Sequence, residues 1–427
     1  MKIKTLLLGA LLGATLALNA ADYAIEMATD RENALYKQGE KAVFFVTVKQ
    51  DGKPLENAEI KWRLTKDNKA PFIDYGTLTL ENGTASFSGS LDEPGFLTCR
   101  IDFKTPDGKN IGGRAGAAYD PLEIKTAAQV PQDFDAFWAA QKQTARKTPL
   151  NAKLTPLENP DKSVESFDVT AESSEGTITA YLSVPANAKR KSLPIIVTTQ
   201  GAGVSTANLG KTRNWAKEGF IALDFNIHGT PNGQTREYYQ ERYDTDLKDY
   251  FVRGRDNRDT FYFRSAFLRL VRVIDFAAEH PAWDGKTIVV YGGSQGGAQA
   301  FAAAGLHEKV TLFCASIPGM CDLTGETVDR INGWPYNRPD GKPQTDEIIE
   351  TAQYFDAANF ATRIKAQALV TAGFTDNVCP PTTIFAAYNN LKGQKEILPM
   401  PLVDHRNTPQ DVALSKKTIL EHAKRVK

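Results

Sequence analysis

The chain has 427 residues, 41% of them hydrophobic, which gives room for more than one domain and a sizeable core. Basic and acidic residues both number 51, so the formal charge is zero. That balance argues against nucleic acid or an anionic membrane as the main partner.

Met1-Lys2-Ile3-Lys4 makes a basic n-region, residues 5–18 an apolar h-region, and Ala20 and Ala21 offer small residues for cleavage. Residues 1–21 therefore read as a secretory signal peptide, since the apolar run is too short to span a bilayer and nothing stops transfer. The expectation is a secreted or periplasmic protein with no membrane anchor after cleavage. Four cysteines, at 99, 314, 321 and 379, allow three full pairings, and their spacing chooses none.

Residues 22–120 show no helical period. Segments 41–49, 58–64 and 95–103 read as strands, and Asn82-Gly83 between 76–80 and 84–87 predicts a hairpin. Short strands at this spacing indicate a small immunoglobulin-like β-sandwich, although the cysteine–tryptophan–cysteine pattern of antibody domains is missing. Trp62 and Phe96 are expected in its core rather than on a glycan.

Tyr119-Asp120-Pro121 marks a linker, and beyond it strands alternate with helices over 121–427. Residues 134–146 form an amphipathic helix with Phe134, Phe137 and Trp138 on one face and Asp133 as its cap or first turn. Strands 164–170 and 177–184 pair about Glu175-Gly176. Strand 194–199 leads into Gln200-Gly201-Ala202-Gly203, Trp215 lies in the next helix, and strand 220–225 follows. Helix 264–279 ends before His280-Pro281. The alternation predicts an α/β fold: a doubly wound, mostly parallel sheet with helices on both faces and ligands at the carboxyl ends of its strands.

Residues 288–304 carry the chemistry. Ile288-Val289-Val290-Tyr291 is a short buried strand, Gly292-Gly293-Ser294-Gln295-Gly296 fits G-x-S-x-G, and an alanine-rich helix follows. A sharp strand-to-helix turn would strain Ser294, leave no space for side chains at 292 or 296, and aim the Gln295 N–H at a developing oxyanion.

A nucleophilic serine needs a base. Of five histidines only His405 and His422 lie far enough downstream, and His422 falls in a terminal surface helix (412–425) where solvent is expected around it. His405, in the loop after the strand-like run 397–403, is the predicted base. Asp376 follows the buried strand 368–373 and is preferred as the orienting acid. Asp404 is the rival, but adjacent residues at a strand end point in opposite directions. The glycine-rich loop after strand 194–199 can supply a second oxyanion donor, assigned to the Ala202 N–H. Residues 318–350, rich in Gly, Pro and Asp, predict a long loop or lid over the site.

Pro131-Gln132-Asp133-Phe134-Asp135-Ala136-Phe137-Trp138, the elbow, and Asp376-Asn377-Val378-Cys379-Pro380-Pro381-Thr382-Thr383-Ile384-Phe385-Ala386-Ala387-Tyr388-Asn389 closely resemble the acetyl xylan esterase/cephalosporin C deacetylase family (carbohydrate esterase family seven). The resemblance covers about 121–427. It implies an α/β-hydrolase fold, removal of acetyl groups from sugars and small esters, no cofactor or metal, and often a homo-oligomer. The family's nucleophile, acid and base fall on Ser294, Asp376 and His405, and its oxyanion donors on Gln295 and Ala202. Two departures stand out. The family's Arg-Gly-Gln is replaced by Ile227-His228-Gly229, which makes His228 a candidate substrate contact or a structural hydrogen-bonding group. The glutamate usual after the histidine is replaced by Arg406.

These readings converge on a secreted serine esterase acting on acetylated oligo- or polysaccharide. Alternatives are an esterase or peptidase of another specificity on the same triad, and a non-catalytic carbohydrate-binding protein.

Overall fold

In the computed structural model, which describes residues 22–67, 69, 71–336 and 344–426, the described residues between 23 and 119 form nine strands. The leader read at 1–21 lies outside the described residues. Strand β1 (Tyr23–Thr29) joins β3 (Ala42–Gln50), β4 (Lys53–Pro54) and β7 (Thr84–Gly89) in one sheet, with β3 hydrogen-bonded to the other three. A second sheet has the order β2 (Leu35–Tyr36), β9 (Asn110–Tyr119), β8 (Gly95–Lys104), β5 (Glu59–Lys66) and β6 (Asp74–Thr79). Their inner faces meet: Trp62 stacks on Phe87 with centroids 4.6 Å apart, and Leu64 and Leu97 close over Gly89.

The predicted hairpin at Asn82-Gly83 does not form. Both residues have the positive φ that a tight Asn-Gly turn uses, 53° and 69°. The strands it joins then separate, β6 running along β5 and β7 crossing to β3. Turn chemistry settles the dihedrals of two residues. The pairing partner is settled by burial, and Phe87 is covered only when β7 lies in the opposite sheet from Trp62.

Residues beyond 150 build a nine-stranded sheet in the order β10 (Lys153–Leu157), β11 (Val164–Ala171), β12 (Ile178–Pro185), β14 (Ile221–Asn226), β13 (Leu193–Thr199), β15 (Trp283–Gly293), β16 (Leu312–Ser316), β17 (Gln367–Gly373), β18 (Lys395–Met400). From β14 to β18 every pairing is parallel, and β10 to β12 extend the sheet antiparallel. Alternate residues of one strand serve opposite faces. Ile196 packs with Trp215, Ile419 and Ala423 under helices Leu209–Lys217 and Pro409–Val426. Ile195 and Val197 belong to the other core, under helices Tyr262–Ala278 and Gln295–Leu306. This is the predicted doubly wound arrangement. Among the described residues no helix is long and apolar enough to cross a membrane.

Three local expectations gain detail, and one of them is reversed. Asp133 stands at the N-cap of helix Phe134–Lys147 but caps no backbone N–H; its carboxylate accepts from Arg258 and Tyr354 instead. His422 is buried, not solvated, with its ring nitrogens against Gln367 Oε1 (3.1 Å) and Thr311 Oγ1 (2.9 Å) at the sheet. The segment from 318 is the expected long loop up to helix Asp346–Phe355, and its described residues are tied down. Asp356 accepts from the Asp322 and Leu323 N–H groups, Arg330 pairs with Asp322, and helix Asp346–Phe355 already occupies its end. All four cysteines are free and buried.

The second sheet of the N-terminal unit docks on the parallel sheet's loops. Phe96 points away from its own core and packs on Phe374 and Phe385, with centroids 4.9 and 5.3 Å away. The Gly116 N–H donates to Pro401 O at 2.9 Å, and a Cβ there would come within 2.5 Å of Phe374. Asp67 accepts from the Thr382 hydroxyl at the same contact. Burial pushes the Asp67 pKa up from 3.8 to about 6. A carboxyl with a raised folded-state pKa costs stability once ionised, so the cost is full above about pH 6 and is relieved as pH falls toward 4. A rise of that size costs ~3 kcal/mol at most. Asp67→Asn should therefore melt above the wild type at pH 8, with the gap closing by pH 4.5. Thermal melts across that range check it, and a variant that melts lower at pH 8 would contradict it.

Candidate active site

The apolar run of β15 leads into a turn whose first and last glycines, Gly292 and Gly296, leave no room for a side chain. A Cβ on Gly292 would sit 2.1 Å from Thr199 Oγ1, and one on Gly296 would sit 2.7 Å from Thr199 O. Between them Ser294 has φ 55° and ψ −123°, a strained conformation held by the strand before it and helix Gln295–Leu306 after it. The Ser294 N–H donates to Ser316 O of β16, and Thr199 Oγ1 donates to Gly296 O from β13. Two neighbouring strands thus clamp the turn.

The loops after β17 and β18 bring in the partners chosen from the sequence. His405 Nε2 lies 3.0 Å from Ser294 Oγ, and its Nδ1 lies 2.8 Å from Asp376 Oδ2. Asp376 is fully buried, and its other oxygen accepts from the Val378 and Cys379 N–H groups at 2.8 and 2.9 Å. Those bonds hold the carboxylate in one orientation, which leaves Oδ2 for the imidazole. Asp404 instead pairs with Arg406 at 2.9 Å near the surface, as its position beside His405 suggested.

At the elbow the Gln295 N–H opens the helix, where no intrahelical acceptor exists. Neither it nor the Ala202 N–H has a hydrogen-bond partner among the described residues. The loop bearing Ala202 is braced from several sides. Gln295 Oε1 accepts from Tyr250 OH at 2.6 Å, the same hydroxyl accepts from the Gly203 N–H at 3.1 Å, and Gln299 Nε2 donates to Gln200 O at 3.0 Å. Buried Asp224 takes the Asn208 N–H and the Thr198 hydroxyl and pairs with Lys211 at 3.3 Å. Sequence reasoning did not find Tyr250 or Asp224. The only legible signal was Gln299, a polar residue one turn from Gln295 in an alanine run.

His228 belongs to this bracing, the structural hydrogen-bonding role of the two that the sequence left open. The ring is buried, Tyr262 OH donates to Nδ1 at 2.7 Å, and Nε2–H donates to Gly203 O at 2.9 Å. With both nitrogens engaged and burial lowering its pKa to about 4, the ring stays neutral and free for nothing else. Gly229 beside it has φ 67°, and a Cβ there would meet Thr177 O at 2.1 Å, so the departure at 227–229 is a turn built for close passage.

A cavity of about 460 Å³ opens over Ser294 and His405, lined also by Gly201, Asn208, Arg406 and Asn407. A second space of about 460 Å³, lined by Ala202, Tyr243, Tyr250, Phe251 and Trp334, flanks the loop. A serine, an imidazole and a carboxylate in line, with two free N–H groups nearby, can perform acyl transfer through a tetrahedral intermediate. Among the described residues no group of His, Cys, Asp and Glu is placed to hold a metal.

Comparison with known proteins agrees with this chemistry. The family model described as acetyl xylan esterase (AXE1) matches residues 121–423. Acetyl esterase Axe7A of Xylanibacter ruminicola is 34% identical over 399 residues, covering 91% of this chain and 88% of the relative. That match is too long to be confined to 121–427, so it reaches into the N-terminal two-sheet unit. An acetyl xylan esterase structure from Paenibacillus sp. R4 is 28% identical with a TM-score of 0.61, over 70% of this chain and 97% of that one. Acetyl xylan esterase 1 from Thermoanaerobacterium sp. JW/SL YS485, 23% identical over 70% of this chain and 97% of its own, shares the fold with a TM-score of 0.60.

Proposed function

Because this chain belongs to the acetyl xylan esterase family, we propose that it removes acetyl groups from carbohydrate through an acetyl-enzyme on Ser294. It is a carboxylic ester hydrolase of α/β-hydrolase fold. His405 Nε2 takes the Ser294 proton while Oγ bonds to the acetyl carbonyl carbon. The carbonyl oxygen becomes an oxyanion facing the Gln295 and Ala202 N–H groups. Collapse breaks the bond to the sugar oxygen, which leaves with the proton from His405. Water, deprotonated by the same imidazole, then attacks the acetyl-enzyme and releases acetate. Asp376 keeps the imidazole in the tautomer with its proton on Nδ1 and stabilises the cation that forms.

The observation that carries this mechanism is the chain of contacts Ser294–His405–Asp376 at 3.0 and 2.8 Å. A panel assay tests the substrate: acetate release from acetylated xylan and acetylated sugars should exceed turnover of feruloyl and glucuronoyl esters and of a peptide control. Faster turnover of any of the others would overturn the acetyl specificity. No observation favours the peptidase or the binding-protein alternative. The leader at 1–21 supports a secreted or periplasmic site of action, where such a polymer would be met. The two N-terminal sheets, with their apolar inner faces, support an immunoglobulin-like β-sandwich.

A further inference from the structure

The docked sheet of the N-terminal unit carries a row of three arginines. Arg63 of β5 stands opposite Arg100 of β8, and Arg100 stands opposite Arg114 of β9, all on the outward face. Like charges directly opposite one another destabilise a sheet. Asp102 answers the first two, 2.8 Å from Arg63 Nη1 and 2.9 Å from Arg100 Nη2. Among the described residues the third has no carboxylate within ion-pairing distance. Arg114 is half-buried and makes no ion pair or hydrogen bond among the described residues, and burial with the Arg100 charge beside it presses its pKa down.

Arg114 faces a groove of about 620 Å³ between the N-terminal unit and the loops after β17 and β18, lined on the far side by Thr375, Leu402, Asp404 and Arg406. Every acid in that groove already has a basic partner: Glu26 has Lys49, Asp102 has Arg63 and Arg100, and Asp404 has Arg406. Asp102 and Asp404 act on Arg114 only through space, each being paired with another arginine. Arg406 also lines the cavity over Ser294, so the groove and the triad share a wall. Ile25, Ile111 and Leu402 give the groove apolar surface suited to the face of a pyranose ring.

We infer that this groove is a subsite for a carboxylate-bearing sugar of the same glycan whose acetyl ester lies at Ser294, with Arg114 as the residue that reads the carboxylate. The inference rests on the deacetylase reading above and adds the class of glycan. A guanidinium pairs with a carboxylate through two parallel bonds, and a half-buried one gains more from it than a solvated one. A neutral polymer would offer Arg114 no carboxylate to pair with.

Acetylated xylo-oligosaccharides bearing a uronic acid, and the same compounds with the carboxyl reduced to an alcohol, make the test. The wild type should prefer the acid form by about tenfold in kcat/KM, through KM, and lose the preference as salt is raised. Arg114→Gln should bring the ratio of the two substrates to about one, and Arg114→Lys should retain part of it. Equal turnover of both substrates by the wild type, or an equal fall on both in Arg114→Gln, would overturn the subsite while leaving the deacetylase reading intact. Absence of acetate release from either substrate by the wild type would remove both.

Discussion

Ser294→Ala should lower acetate release by about 10⁴-fold or more without lowering the melting temperature. The rate falls because Oγ, 3.0 Å from His405 Nε2, is the atom that the imidazole deprotonates for attack on the acetyl carbon. The fold survives because the clamp on the turn uses backbone: the Ser294 N–H to Ser316 O, and Thr199 Oγ1 to Gly296 O. An alanine keeps both, and the strained φ is held by the strand before it and the helix after it, not by the hydroxyl. A fluorophosphonate probe should label the wild type and not the variant. Turnover within tenfold of the wild type would mean that another nucleophile does the work.

Much of this site was legible because its chemistry forces local sequence. A turn this tight needs glycine on both sides of the serine, the acid and base must follow later strands, and five histidines left few choices. Contacts between distant segments were less legible. Tyr250 reaches both Gly203 and Gln295 from a stretch with no pattern of its own, and no rule of spacing points to it. His422 reads as solvated because a charged helix hides which of its polar residues turns inward; here the helix lies on the sheet and the ring meets Thr311 and Gln367. The Asn82-Gly83 turn has the expected dihedrals and yet joins strands of different sheets. Phe96 does lie in an interior, but not the expected one: it is covered by Phe374 and Phe385 across the contact between units, which no property of residues 22–120 alone discloses. The arginine row is invisible for a related reason, since Arg63, Arg100 and Arg114 meet only once strand register is known.

Asp376→Asn should cost about 10⁴-fold in kcat, and the reason lies in the backbone beneath it. The Val378 and Cys379 N–H groups donate to Oδ1, so the amide oxygen of an asparagine would take that position and its NH₂ would face His405 Nδ1. An NH₂ donates, so Nδ1 must give up its proton and the ring must carry it on Nε2, pointing at Ser294. In that tautomer the imidazole cannot accept the serine proton, even though every heavy atom stays in place. The rival carboxylate gives the contrast: Asp404 is tied to Arg406 near the surface, an ion pair of small energy, and Asp404→Asn should change kcat less than tenfold. Steady-state hydrolysis of a small acetyl ester by both variants decides the matter. If the losses were reversed, the acid that orients His405 would be the one beside it in sequence, and the bonds that hold Asp376 in its buried position would serve the fold alone.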